Sequence, residues 1–359
     1  MNNSKKMAML PEWAEQEAVV LAWPHKDTDW RYNLDQTKAT YLDLINSINA
    51  TGTPILLLCP ESEVDNTKGL LDARSHIAQP NKVLIIPAQY NDTWVRDYAF
   101  ITVSDNEKNY PINFEFNGWG KKFDATLDNQ INHLLGSLCQ QSLQSHNLVL
   151  EGGAIEIDEN QHLLSTQSCL FNPKRNPNYT KELYCQFFQD VLGAKQVNLF
   201  QNGHLQGDDT DGHIDTLARF TPLMGIVFQG AENRPQDSHF VDLMKLKFEL
   251  QQAFPQHTLY SLPLPYVENL EKERLPASYA NFLILNKRIL LPIYGQAEDD
   301  TAIAVTKKAF PNYQVMPINC LSLVQQYGSL HCVTMQIPFN TLKPEIVELA
   351  SQGVSVLDI

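Results

Sequence analysis

No two cysteines in this chain are spaced as a Cys-x-x-Cys pair. The six present (Cys59, Cys139, Cys169, Cys185, Cys320 and Cys332) are scattered through 359 residues, which argues against a disulfide framework and against a zinc ribbon. Positive charge is scarce as well: 27 Lys and Arg stand against 41 Asp and Glu, a net charge of −14. Such a balance argues against nucleic acid and anionic membrane as partners, because binding phosphate requires a basic surface; a small cation would be drawn in instead. No apolar run approaches the length needed to span a bilayer. The N-terminal MNNSKKMAMLPEWAEQEAVV has two lysines but no apolar segment before a small-residue cleavage site, so the expected location is the cytoplasm. Linkers rich in Pro, Gly or Ser, fixed-period repeats and low-complexity tracts are also missing.

What the chain does have is 43% hydrophobic residues, enough for a substantial core. They fall in short runs of strand length: EAVVLAW, PILLLC, KVLIIPA, FITV, LVLEGGAIEI, MGIVFQG, NFLILN, RILLPIYG and HCVTMQI. Amphipathic segments of helical length lie between them at 36–49, 125–140, 180–192, 237–254 and 300–310. The alternation predicts an α/β fold. Asp299, Asp300 and Thr301 are expected to cap the last of these helices, and Asn286-Lys287 to turn a hairpin. The proline-dense stretch 262–279 reads as a boundary or a long surface loop.

The stretch GDDTDGHIDTLARF, residues 207–220, carries the densest chemistry. Aligned to a calcium loop, it puts Gly207 where the first acid belongs and Ala218 where the bidentate glutamate belongs, so that reading fails. A zinc or iron site would need ligands beyond His213 and Asp215; His204 is near, but no HExxH or second histidine at helical spacing appears. If IDTLARF begins a strand, His213 and Asp215 share a face and Ile214 points away. Asp208, Asp209 and Asp211 read as shaping or solvating a turn.

Three other stretches place polar residues where a packed strand does not require them. NDTWVRDYAF sets Asp97 between Arg96 and Tyr98 at the start of a strand. LVLEGGAIEID ends a strand on Glu151, before two glycines that permit close backbone approach. QQYGSLHCVTMQIP puts Cys332 after a Gly-Ser turn, opening a strand, where a lone cysteine is ordinarily core. His331 adjoins it, but neighbours in a strand face opposite ways, so His331 is a poor candidate base.

With Trp94-Val95-Arg96-Asp97, Leu150-Glu151-Gly152-Gly153, Gly207 to Asp215 and His331-Cys332 in that order, the sequence resembles the agmatine deiminases. These are members of the bacterial-type peptidylarginine deiminase family of guanidino-group-modifying enzymes. The likeness runs nearly the whole chain, through LPEWAEQEAVVLAWPH, NFEFNGWGKKF, SCLFNPKRNPNYTKEL and ASYANFLILNKRILLPIYGQAEDDTA. It implies one catalytic domain over residues 1–359, folded as a pseudo-fivefold α/β propeller (a pentein) of ββαβ-type modules. Implied roles are Cys332 as nucleophile, His213 as general acid and base, and Asp97, Glu151 and Asp215 as carboxylates around a guanidinium. No metal or cofactor is implied, and family members are often homo-oligomers.

The implied reaction is hydrolysis of agmatine to N-carbamoylputrescine and ammonia, on the route from arginine to putrescine, through an amidino-cysteine intermediate. Trp94, Trp119 and Tyr98 are candidates to face the far ammonium of the substrate. Arg96 and Arg219 are candidates to hold the α-carboxylate of free arginine. The competing readings are a peptidyl- or free-arginine deiminase, an amidinotransferase on the same scaffold, and a non-catalytic polyamine-binding protein.

Overall fold

A computed structural model describes residues 7–74 and 81–358. Its strands form five sheets, and one pairing pattern recurs in all five: a strand pairs antiparallel with a second, which pairs parallel with a third. The trios are Ile101–Ser104, Asn109–Glu115 and Gln144–Val149; Glu156–Ile157, His162–Thr166 and Gln196–Phe200; Ala218–Thr221, Gly225–Gln229 and Thr258–Leu262. They continue with Leu283–Leu285, Arg288–Ile293 and Gln314–Asn319, then Met335–Pro338, Gln16–Ala22 and Ile55–Cys59. In the last trio the chain's two ends meet, since Met335–Pro338 lies beside Gln16–Ala22.

A parallel pair needs a crossover connection, which is where the helices fall. Leu34–Asn49, Ile131–Ser137, Lys181–Val191, Phe240–Ala253 and Asp299–Ala309 each bridge the second and third strands of a trio. These are the five amphipathic segments expected from sequence. Val64–Arg74 is a further helix that periodicity did not bring out, because only Val64, Thr67 and Leu71 of its eleven residues are buried. The result is a mixed α/β fold, as the alternation predicted. No helix among the described residues is long and apolar enough to cross a membrane.

Local expectations fared unevenly. Asn286 and Lys287 have φ of 43° and 67°, the left-handed pair that a two-residue hairpin turn requires. Residues 263–282 run as a long loop broken only by an isolated bridge between Glu268 and Arg274. The cap expected at 299–301 is not made: the Asp299–Ala309 helix has no side-chain cap bond. Asp299 instead accepts hydrogen bonds from the Tyr279 hydroxyl (2.6 Å) and the Tyr294 and Gln296 amides (3.2 and 3.1 Å), tying the preceding loop to the helix start.

Candidate active site

Three of the four sequence stretches singled out above, all but the one around Glu151, converge on one cavity of about 360 Å³. Cys332, His213, Asp97, Asp215, Trp94 and Trp119 all line it, along with Asn281. Of the six cysteines, Cys332 alone reaches it. The described residues of the lining include nine aspartates and no lysine or arginine, so the cavity's field is built for cations.

Each side chain is delivered by irregular backbone at the end of a regular element. Asp97 sits in a four-residue helical turn, Val95–Tyr98, before the Ile101–Ser104 strand. His213 precedes a 3-10 turn, Ile214–Thr216, and the strand begins only at Ala218. The strand geometry expected for 213–215 is therefore absent, yet His213 and Asp215 still share the cavity while Ile214 is buried in a separate core cluster. Cys332 likewise lies in a turn, three residues before Met335–Pro338. Gly328 admits the neighbouring indole, since a Cβ there would fall 2.1 Å from the Trp94 ring.

Residues 118–121 form a left-handed turn, with φ of 67°, 53°, 79° and 65°. For Trp119 and Lys121 this conformation costs about 1–2 kcal/mol each. It directs the Trp119 indole N–H onto Asp97 Oδ2 at 2.9 Å.

Asp97 Oδ1 accepts the Gly153 amide at 3.0 Å and lies 3.5 Å from His213 Nδ1. Burial, with Asp215 and Glu151 nearby, pushes its carboxyl up to about 6 against the pull of His213. For His213 burial opposes the charged ring, but Asp97, Cys169 and Glu151 outweigh it and hold the imidazole well above its ordinary range. Asp215 has its Oδ2 on His331 Nδ1 at 2.7 Å. Despite burial it stays below the usual carboxylate range, held by His331, His213 and Arg219. Its Oδ1, like Asn281 Nδ2, is buried without a hydrogen-bond partner, a cost that a bound ligand could remove. Asn281 Oδ1 accepts from the His331 amide (3.0 Å) and faces Cys332 Sγ (3.4 Å). Burial, then Asp215 and Asp97, drive the Cys332 thiol well above its ordinary range.

Glu151 takes a different place from the one expected. It is fully buried, does not line the cavity, and both its oxygens accept from Arg175 Nε (2.8 and 3.0 Å). Its Oε2 lies 4.0 Å from His213 Nε2, so it stands behind the imidazole. Tyr98 is also off the cavity, bonded to the Asp92 carbonyl. Arg219 is buried among Glu156, Glu12 and two backbone carbonyls, and Arg96 among Glu12, Gln336 and the His331 carbonyl; neither faces the cavity.

Three residues support the site without having been singled out: Arg175, Asn281 and Glu12. All three lie in stretches that carried the resemblance yet offered no local oddity. Asp208 and Asp211 do shape the turn, through bonds to the Thr210 and Gly212 amides and to Arg175. Asp209 lines the cavity, its carboxyl pushed up to about 6 by burial and by Asp208. Glu151, Cys169 and His213 place donor atoms within 4.8 Å of one another. Arg175 already occupies both Glu151 oxygens there, so a metal would have to share that carboxylate with a guanidinium.

Residues 8–338 match the model of the Porphyromonas-type peptidyl-arginine deiminases. The chain belongs to that family. Within it, a Shewanella baltica protein named "Putative agmatine deiminase" is 29% identical over 92% of this chain and 94% of its own length. The solved structure of a cysteine-to-serine variant of C. jejuni agmatine deiminase with substrate bound is 32% identical, with a TM-score of 0.86 over 94% of this chain and 97% of that one. A Porphyromonas gingivalis structure described as a "Putative Arginine Deiminase" is 39% identical, with a TM-score of 0.86 over 94% of this chain and 100% of that one.

Proposed function

We propose that the chain hydrolyses agmatine to N-carbamoylputrescine and ammonia, as a cytoplasmic step from arginine toward putrescine. The observation that carries this reading is the cavity itself: a thiol and an imidazole share a lining with nine aspartates, Asp97 and Asp215 among them, and with no lysine or arginine. A guanidinium presents forked N–H donors that carboxylates accept with matched geometry. Asp97 and the free Oδ1 of Asp215 receive them and turn the central carbon toward Cys332. The substrate's positive charge favours the thiolate, which burial, Asp215 and Asp97 disfavour.

Cys332 Sγ then bonds to the guanidinium carbon, and the tetrahedral adduct collapses as His213 protonates the departing nitrogen. Ammonia leaves and an S-alkylthiouronium remains on Cys332. Neutral His213 takes a proton from water, the hydroxide adds to the same carbon, and as the C–S bond breaks the adduct's hydroxyl proton passes to the Cys332 sulfur, releasing the ureido product and restoring the thiol. Glu151 serves this sequence through His213, by stabilising its charged form from behind the ring.

Asp209 and the other outer aspartates answer the far ammonium of agmatine. Free arginine would bring a carboxylate into the same acidic wall, and Arg96 and Arg219 are turned into the protein interior. This disfavours arginine as substrate. The five sheets with one pairing pattern, together with the family membership, support a pseudo-fivefold propeller formed as one catalytic domain.

The test is to incubate wild type and Cys332→Ser with agmatine, arginine and a blocked arginine peptide, measuring ammonia and ureido product. Product from agmatine alone, lost in the variant, is expected. Turnover of arginine or the peptide at comparable kcat/KM would transfer the reading to that substrate, and transfer to added glycine or lysine would make the enzyme an amidinotransferase.

A further inference from the structure

His331 is not on the cavity, yet it is the partner of Asp215, whose buried Oδ1 makes no hydrogen bond. Its Nδ1 lies 2.7 Å from Asp215 Oδ2 and its Nε2 lies 2.6 Å from Glu12 Oε1, with the ring 1% exposed. Glu12 comes from the loop before the Gln16–Ala22 strand and lines a small second cavity with Arg96, Glu156 and Gln336. The line Asp215–His331–Glu12 thus connects the two cavities.

An ionised carboxylate only accepts hydrogen bonds. Glu12 accepts from Arg219, Arg96 and Gln336 Nε2 (3.0 Å), and despite burial both it and Asp215 lie below the usual carboxylate range, so both are ionised. Each ring nitrogen therefore has to donate. Burial and the guanidiniums of Arg219 and Arg96 pull the ring toward the neutral form, and Arg219 Nη2 approaches Nε2 at 3.2 Å. Contact decides between these influences, because a neutral ring would set a bare lone pair against a carboxylate oxygen at under 3 Å.

We infer that His331 is a positioning residue, held as an imidazolium between Glu12 and Asp215, which keeps Asp215 ionised with Oδ1 presented to the substrate's guanidinium. The charges facing this ring and its two partners are those of Arg96, Arg219, Glu156, Asp97 and His213. Its catalytic consequence rests on the proposed deiminase reading; its charge state does not.

The charge state is read by nitrogen NMR of histidine-labelled full-length protein without substrate, with His331→Gln assigning the signals. Two protonated ring nitrogens persisting to pH 8 are expected; one unprotonated nitrogen at pH 7 overturns the inference. The positioning role is read from Glu12→Gln, whose side chain is off the catalytic cavity. Losing the second carboxylate lets the ring go neutral and raises Asp215 by about one pH unit. The acid limb of kcat/KM should move up by that amount, with KM rising more than kcat falls. An unmoved limb overturns the role. A wild type that turns over no guanidino compound, but shows an imidazolium, would sink the function and leave the charge state standing.

Discussion

Gly153 presses against His213 so closely that a single added methyl would lie 2.7 Å from Nδ1 of the ring, and 2.8 Å from Asp97 Oδ1. The glycine has an ordinary negative φ, since it is not among the positive-φ residues. Its use is close approach: the backbone amide reaches Asp97 only because no side chain intervenes. Gly153→Ala should therefore separate the imidazole from its carboxylate. A displacement near 1 Å at reacting groups costs on the order of 100-fold. Steady-state kinetics with agmatine should show that loss in kcat/KM; a variant within threefold of wild type would mean the contact does not constrain the pair.

Cys332 is expected to titrate with the substrate. Burial and two carboxylates raise the thiol in the free protein, and a bound cation should reverse part of that. Iodoacetamide alkylation followed against pH should give a thiol pKa above the ordinary cysteine value in the free enzyme, falling when an alkylguanidine that is not turned over is bound. An unchanged pKa would remove substrate-assisted ionisation from the mechanism. Cys332→Ser should lose more than ~10³ in kcat while still binding agmatine in a thermal-shift assay.

Asp209 should determine how the far ammonium is held. Its carboxyl lies near pH 6 through burial and Asp208, and it must be ionised to pair with an amine. The KM for agmatine should accordingly rise as pH falls below about 6, with kcat changing less. Asp209→Asn should raise KM about tenfold at pH 7.5, roughly the worth of one charge-assisted hydrogen bond, and flatten its acid dependence. Equal KM values for variant and wild type would place the amine elsewhere.

The acidic wall has a stability cost that changes with pH. Burial pushes Asp92 and Asp128 up to about 7 from an ordinary 3.8. Between about pH 4 and 7 the native state therefore holds protons that the unfolded chain has released. Stability should fall as pH rises through that window and level off above it. Asp128→Asn should match wild type near pH 4 and exceed it by ~2 kcal/mol at pH 8 in urea unfolding, allowing for relaxation around the site. Parallel pH profiles for the two proteins would exclude Asp128 as a source.

The helices that cross between parallel strands were legible because burying one face writes a period into the sequence. The Asn286-Lys287 turn was legible because few residues tolerate its backbone. Asp97, His213, Asp215 and Cys332 stood out as polar residues set beside strands that had no packing use for them. Glu151 was equally conspicuous, but its distance from the cavity was not, because Arg175 reaches it from 24 positions away. Glu12 and Asn281 left no local trace, since their partners lie 319 and 50 residues off along the chain. By itself the sequence determined the α/β alternation and the acidic character, which follow from composition and short-range period, while the grouping of Cys332, His213, Asp97 and Asp215 was implied by the resemblance. Only the tertiary structure decided which carboxylates face the cavity and which face a guanidinium of the protein, because that depends on contacts between residues that neighbouring sequence does not encode.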